Sequence, residues 1–363
     1  MQQTLFRPES DVSSVTQVRI ISPEDYQSWD EFILSHDAAG AYLTTSWKRA
    51  LETGYGHSIY YLGAFDKEAL KGVLPLVLIK PPFGRKYLVS LPYCDYGGLL
   101  AENSEVGVGL LGHATTLASE LGAKIEIRVS EPNATLEQTA SFAQVTAGKC
   151  RMLLELSGSA ARMWKNFNSK LRSQIRRAMK NGLVRRIGNE ELLADFYRVF
   201  ARNMRDLGSP VHSEQWLRSV LVAFREKARV GVVYKDDTPA AAGILLMHGK
   251  VATIPWASSL REFNRLSPNM LLYWTLLEYA ADSGFHTLDF GRSTPGEGTY
   301  LFKEQWGARP KPLYWYRQRV AGANGGLLES SSYFRSVLKW GWATLPVSAA
   351  NTAGPLIRKY ISR

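Results

Sequence analysis

Hydrophobic and polar positions along the chain switch between two periods. Residues 16–21 read as a strand, and residues 23–37 (PEDYQSWDEFILSHD) follow with the three-to-four spacing of a helix. Ser22 is placed to cap that helix, Pro23 suits its first position, and Glu24 and Asp25 favour its positive end. A second helix is expected over about 46–53. Strand-like runs come next at 59–65, 72–79 and 85–91. A helix over 105–121, ended by Gly122, and a strand over 124–129 complete the set.

The same order then recurs. A strand over 183–187 leads to helices over 190–207 and 214–224. Strands follow over 229–234, 240–248 and 251–256, then a helix over 269–283 ended by Gly284, and a strand over 286–290. Landmarks keep nearly constant offsets: Trp47 and Trp216 are 169 apart, Lys86 and Lys250 164, and Gly122 and Gly284 162. Two structural copies of one α/β unit of about 140 residues account for this recurrence.

The second copy opens on an unusual stretch, residues 162–186. It carries nine basic residues and no Asp or Glu. Trp164, Phe167, Leu171, Ile175 and Ala178 fall on one helical face, with Arg172, Arg176 and Lys180 as a cationic row beside it and Asn181-Gly182 as the stop. A solvated face normally mixes signs, so unrelieved positive charge points to phosphate, nucleic acid or a membrane surface.

Composition extends this reading. The 363 residues are 45% hydrophobic and carry a formal net charge of +11, enough for two cores and suited to an anionic partner. Cys94 and Cys150 lie far apart, and the six histidines lack metal-ligand spacing, so neither a disulfide framework nor a metal site is indicated. The first 15 residues are a polar leader without a signal-peptide core, and the longest aliphatic run, 73–79, is too short to span a bilayer. A cytoplasmic protein is expected, with a first domain over 16–156, a second over 157–320 and a basic amphipathic tail over 321–363.

Each copy runs strand, two helices, three meandering strands, helix, strand, which is the order of the GNAT acyltransferase fold. The tandem arrangement resembles the FemAB family of aminoacyl and acyl transferases, and within it the branch associated with exopolysaccharide and exosortase systems. The resemblance rests on FNSKLRSQIRRAMKNGL (167–183), RDLGSPVHS (205–213) and LDFGRSTPGEGTYLFKEQWGARPKPLYW (288–315), and spans roughly 16–320. It implies an α/β fold of two GNAT-like units, each with a mixed, mostly antiparallel sheet flanked by helices. It also implies transfer from an acyl-CoA or aminoacyl-tRNA donor to an amine, with no tightly bound cofactor and no metal.

Candidate chemistry centres on the segment after the 286–290 strand. By the resemblance, Lys303 is the first candidate for a lysine near phosphates and the reacting amine, with Tyr300, Arg292 and Ser293 beside it. Such a lysine can neutralise phosphate or stabilise an oxyanion. His212 is a candidate general base in the loop 205–212, where Ser209 can bind the acceptor. Trp47, Lys48, Tyr93, Asp95, Trp256 and Asn269 join the substrate-binding set. Arg265-Leu266-Ser267-Pro268-Asn269-Met270 stands where acetyl-CoA enzymes carry a glycine-rich turn. Ser267 is a good helix cap there, but the glycines that would wrap pyrophosphate are missing. The formal GxGxxG at 107–112 follows no strand directly and is set aside.

In the tail, Phe334, Val337, Leu338, Trp342 and Leu345 form an apolar face. Arg335, Lys339, Arg358, Lys359 and Arg363 oppose only Glu329. Such a segment fits an anionic membrane surface at the inner face of the plasma membrane, or docks on the protein. The expected activity is N-acyl transfer to an envelope or exopolysaccharide precursor, a nucleotide-sugar or lipid-linked glycan, with tRNA among the possible partners. The alternative is a catalytically silent scaffold for such a precursor. A generic nucleic-acid binder rests on the basic stretch alone.

Overall fold

A computed structural model describes residues 16–37, 39–319 and 340–362. The first unit comprises β1 (Gln17–Ile20), α1 (Tyr26–Leu34), α2 (Thr45–Tyr55), β2 (Ser58–Asp66), β3 (Ala69–Ile79), β4 (Lys86–Val89), β5 (Leu100–Ala101), α3 (Ser104–Leu121), β6 (Ala123–Val129), α4 (Ala134–Gln138) and β7 (Phe142–Glu155). The second begins with α5 (Ala160–Asn166) and α6 (Ser169–Lys180). It continues through β8 (Leu183–Gly188), α7 (Leu193–Asp206), α8 (Glu214–Phe224), β9 (Ala228–Lys235), β10 (Thr238–His248) and β11 (Val251–Ser259). It closes with α9 (Pro268–Asp282), β12 (Thr287–Ser293), α10 (Gly298–Glu304) and β13 (Arg309–Gln318). A further helix, α11, spans Val347–Arg358.

The two units have the anticipated GNAT order and form one sheet, β1-β2-β3-β4-β6-β13-β7-β12-β11-β10-β9-β8, with β5 on β3. Among the described strands only β4–β6 and β11–β12 pair in parallel. The centre holds the two strands that hydrophobic patterning did not reveal. β7, the last strand of the first unit, pairs with β12 of the second; β13, the last of the second, pairs with β6 of the first. β7 and β13 pair with each other between them. Each unit therefore contributes its last strand to the other. Pro310 and Pro312 hide β13, because proline cannot donate to a ladder, and the register shifts between Pro312 and Tyr314.

The basic stretch is two helices rather than one. Phe167 is extended (ψ 141°) and ends α5. Asn168 then caps α6, its side chain accepting the Leu171 N–H at 2.8 Å. Leu171, Ile175 and Ala178 are buried as the spacing predicts, while Arg185 and Arg186 belong to β8. The expected 23–37 helix also begins later. Pro23–Asp25 is a 3-10 turn, and the Asp25 carboxylate accepts both the N–H and the hydroxyl of Ser22. The 107–112 glycines lie within α3, where Gly107 packs against Thr135.

Large apolar side chains join the units. Trp47 on α2 and Trp216 on α8 are fully buried, with ring centroids 5.4 Å apart and edge-on. These anchors of the repeat face one another because α2 and α8 pack together. Tail residues Phe334, Arg335, Val337, Leu338, Lys339, Glu329 and Arg363 lie outside the described residues. α11 docks on the protein: Gly354 faces the Val211 backbone, and the Arg205 guanidinium donates to the Leu345 carbonyl at 3.1 Å. Among the described residues, no helix is long and apolar enough to cross a membrane.

A buried ion pair fastens the exchanged strands. Arg151 on β7 donates from Nε to Asp289 on β12 at 2.9 Å, and from Nη2 to the Tyr96 hydroxyl at 3.1 Å. Removing one partner of a buried pair strands the other charge. Arg151→Met is expected to lower the free energy of urea unfolding by about 3–5 kcal/mol. The double variant Arg151→Met/Asp289→Asn should lose less. Equal losses in the two variants would remove the pair as the fastening.

Candidate active site

β11 and β12 are hydrogen-bonded only from Val251↔Thr287 to Thr253↔Asp289 and then part. A cavity of about 600 Å³ occupies the gap. Its walls are Ile254, Pro255 and Ala257–Ser259 of β11 and Phe290–Arg292 of β12. The start of α9 adds Asn269, Leu272 and Tyr273, α10 adds Gly298, Thr299, Phe302 and Lys303, and Asp95, Asn203 and Leu207 complete the lining.

Local chain chemistry shapes the floor. The β12–β7 register shifts between Asp289 and Arg292, a bulge that puts one extra residue on β12. Gly291 sits at φ +74°, and an added Cβ would come 2.9 Å from the Ile254 carbonyl, so a side chain is excluded there. Asp289 fixes the bulge by accepting the Gly291 N–H at 2.8 Å.

Lys303 reaches this floor from α10. Its Nζ donates to the Arg292 carbonyl at 2.8 Å and the Gly291 carbonyl at 3.2 Å. An ammonium has three N–H donors, so one remains for a ligand. The residue is only 6% exposed, and burial lowers its pKa to about 8, against the opposing pull of Asp289 and Asp95. Arg292 Nε stands 3.3 Å from the Asp95 carboxylate across the cavity. Asn203 donates to the Ser258 hydroxyl at 3.0 Å on another wall.

The start of α9 faces the same space. Ser267 lies in the left-handed region (φ 61°), and its side chain makes no cap, unlike the expectation from sequence. Pro268 has no N–H, and the Met270 N–H is taken by the Ser267 carbonyl and the Asn269 side chain. Few amides are left to cradle a pyrophosphate, in keeping with the missing glycines.

The remaining sequence candidates are distributed as follows. Lys303, Arg292, Asp95 and Asn269 line the cavity together. Ser293 is buried beside it with an unpartnered hydroxyl, and Tyr300 is half-buried on the next turn of α10. Arg172, Arg176 and Lys180 run along the outer side of α6, with Arg176 5.3 Å over the Trp164 ring. The Asn181 amide at the end of α6 donates to the Leu266 carbonyl at 3.3 Å, so that row ends near the start of α9. Ser209 is half-buried, its N–H bonded to the Met204 carbonyl.

Five candidates stand away from the cavity. His212 is buried in an aromatic cluster, sharing a 2.6 Å hydrogen bond with the Tyr55 hydroxyl while its Nε2 has no partner. Burial, with Arg358 nearby, depresses its pKa and keeps it neutral. Trp47 stacks near Trp256 at 6.2 Å, and Lys48 is buried against Glu52 and the Tyr26 hydroxyl. Tyr93 packs beneath the end of α11. Trp47 and Trp256, expected to bind substrate, are core residues instead, and periodicity cannot mark Asp289, Asn203 and Ser258. Asp289 was legible only as part of the DFGRS block, and Asn203 lies two residues before the 205–213 motif.

Comparison with known proteins agrees with the fold. Residues 165–304 match the Acetyltransferase (GNAT) domain family. A crystal structure of FemX is similar at 16% identity and a TM-score of 0.66, covering 82% of this chain and 96% of FemX. L-PGS from Bacillus licheniformis is similar at 12% identity and a TM-score of 0.57, covering 95% and 98%. A tandem GNAT protein from the clavulanic acid biosynthesis pathway is similar at 11% identity and a TM-score of 0.56, covering 85% and 100%. No curated protein matches the chain.

The environment of Lys303 makes a pH-dependent signature. Between about 8 and the ordinary lysine value of 10.5, the unfolded chain holds a proton that the fold does not. Its contribution to stability therefore rises with pH across that window. Lys303→Met is expected to flatten the rise in thermal midpoint over that range and to be no less stable at pH 7. An unchanged pH dependence would contradict the burial argument.

Proposed function

We propose that this protein, whose residues 165–304 match the Acetyltransferase (GNAT) domain family, moves an acyl or aminoacyl group from an activated donor to an amine of a cell-envelope or exopolysaccharide precursor. The observation that carries this is Lys303, buried in the gap between β11 and β12 with one donor left for a ligand. The amine nitrogen attacks the donor carbonyl carbon, and the carbon–oxygen bond of an ester, or the carbon–sulfur bond of a thioester, breaks. The amine proton passes to the departing oxygen or sulfur or to solvent. In this reading the remaining N–H of Lys303 donates to the oxyanion, and Arg292 supplies a second positive group for a phosphate. Holding amine and carbonyl together in the gap provides the rest of the acceleration.

The occupied Met270 amide favours an aminoacyl ester over a pyrophosphate-bearing acyl-CoA as donor. The cationic row of α6 is suited to the phosphates of a tRNA, a nucleotide-sugar or a lipid-linked glycan. Leu356 and Ile357 on α11, with Trp340, are exposed, which supports contact with a lipid-linked acceptor at the inner face of the membrane.

Thermal-shift measurements with acyl-CoAs, charged tRNA and UDP-linked precursors would identify the donor, because a ligand of the native state raises the midpoint by mass action. With that donor, Lys303→Met should lower transfer by roughly 10²-fold or more while the donor-induced shift persists. Binding without transfer by the intact chain would instead establish a scaffold.

A further inference from the structure

The residues after α11 lie across the first unit, and Ser362 is where they attach. Its carbonyl accepts the Tyr93 N–H at 3.0 Å and Arg128 Nη1 at 2.8 Å. Its hydroxyl accepts from Arg128 Nη2 at 2.9 Å. The Tyr93 hydroxyl donates to the Lys359 carbonyl, and the Arg358 guanidinium lies 5.7 Å over the Tyr93 ring.

Arg128 is fully buried and paired with Glu126 at 2.6 Å, and it also donates to the Cys94 carbonyl at 3.3 Å. The loop between β4 and β5 is thus clamped from two sides. It needs the clamp, because Tyr93 sits at φ 68°, a conformation that persists only where its surroundings over-determine it. Two residues on, Trp315 of β13 donates to the Asp95 carbonyl at 3.3 Å, and the Asp95 carboxylate faces Arg292 inside the cavity.

We infer that residues 358–362 are a positioning brace for the candidate site: by fixing the 91–95 loop from outside the cavity, they set Asp95 against Arg292 and beside Lys303. The inference rests on the reading of that cavity as the site. Four hydrogen bonds join Tyr93 and Arg128 to Lys359 and Ser362, beyond the end of α11, and burial of the helix alone would not require them.

The charge state of Lys303 reports the position of Asp95. Burial, with Arg292, opposes its proton, while Asp289 and Asp95 favour it. The test compares the full chain with a form lacking residues 359–363, following acetic-anhydride labelling of Lys303 against pH by mass spectrometry. Removing the brace should shift the labelling midpoint downward by roughly half a pH unit, in the direction given by Asp95→Asn. Asp95→Asn combined with the deletion should shift no further than Asp95→Asn alone.

A folded deletion variant whose profile overlays that of the full chain overturns the inference. If circular dichroism shows that the deletion does not fold, Tyr93→Phe decides on the same criterion, since it removes the hydroxyl's bond to the Lys359 carbonyl, and His57→Ala, which removes only the other partner of that hydroxyl, serves as its control. The labelling needs no substrate. A chain that labels as expected yet transfers nothing therefore overturns the proposed function and leaves the brace standing.

Discussion

The antiparallel pairing of β7 with β13 at the middle of the sheet governs how everything else is placed. To reach its slot beside β6, β13 must pass beyond β7 after leaving β12. The connection that makes this passage contains α10, and α10 carries Lys303 across the open end of the β11–β12 gap. The same exchange brings Arg151 on β7 to Asp289, and Asp289 in turn fixes the Gly291 bulge whose carbonyl receives the lysine. The candidate site is thus a product of the strand exchange, since neither unit alone supplies both the floor and its support.

The duplication has been resolved asymmetrically. Arg128 and Arg292 are separated by 164 residues, the offset that also relates Lys86 to Lys250. In the second unit the arginine looks into an open cavity. In the first, the equivalent guanidinium is sealed beneath Ser362 and satisfied by Glu126 and backbone carbonyls. One copy keeps space for a ligand, and the other has turned the corresponding residue into a structural joint between the loop that carries Asp95 and the docked C-terminal segment.

Much of this was legible because periodicity reports burial. The order of elements in both units, the αL glycines that end α3 and precede β12, and the buried face of α6 all follow from spacing. Strand exchange was not legible, because pairing partners are set by long-range geometry and β13 carries two prolines. The break between α5 and α6 had a local signal in Asn168, a good cap, yet the apolar stripe runs through it and reads as one helix. At the site, Lys303 and Arg292 stood out through a family-like motif. Lys48 and Trp47 stood in the substrate-binding set, and the geometry assigns them to an ion pair and to the core. His212 shows why residue type alone misleads: an imidazole suited to proton transfer lies sealed among aromatic rings.

The exchange also sets the order in which the molecule can be completed during synthesis. Tyr314 pairs with Val129 across more than 180 positions of sequence. A ribosome therefore releases β6 long before its neighbour exists, and β7 before β12. Until the final strand emerges, the first half presents an unpaired edge, the kind of surface that invites association with other chains. Closing such distant contacts is slow relative to local helix formation. A fragment ending after the first unit would lack β13 and keep the free edge of β6 without its native partner.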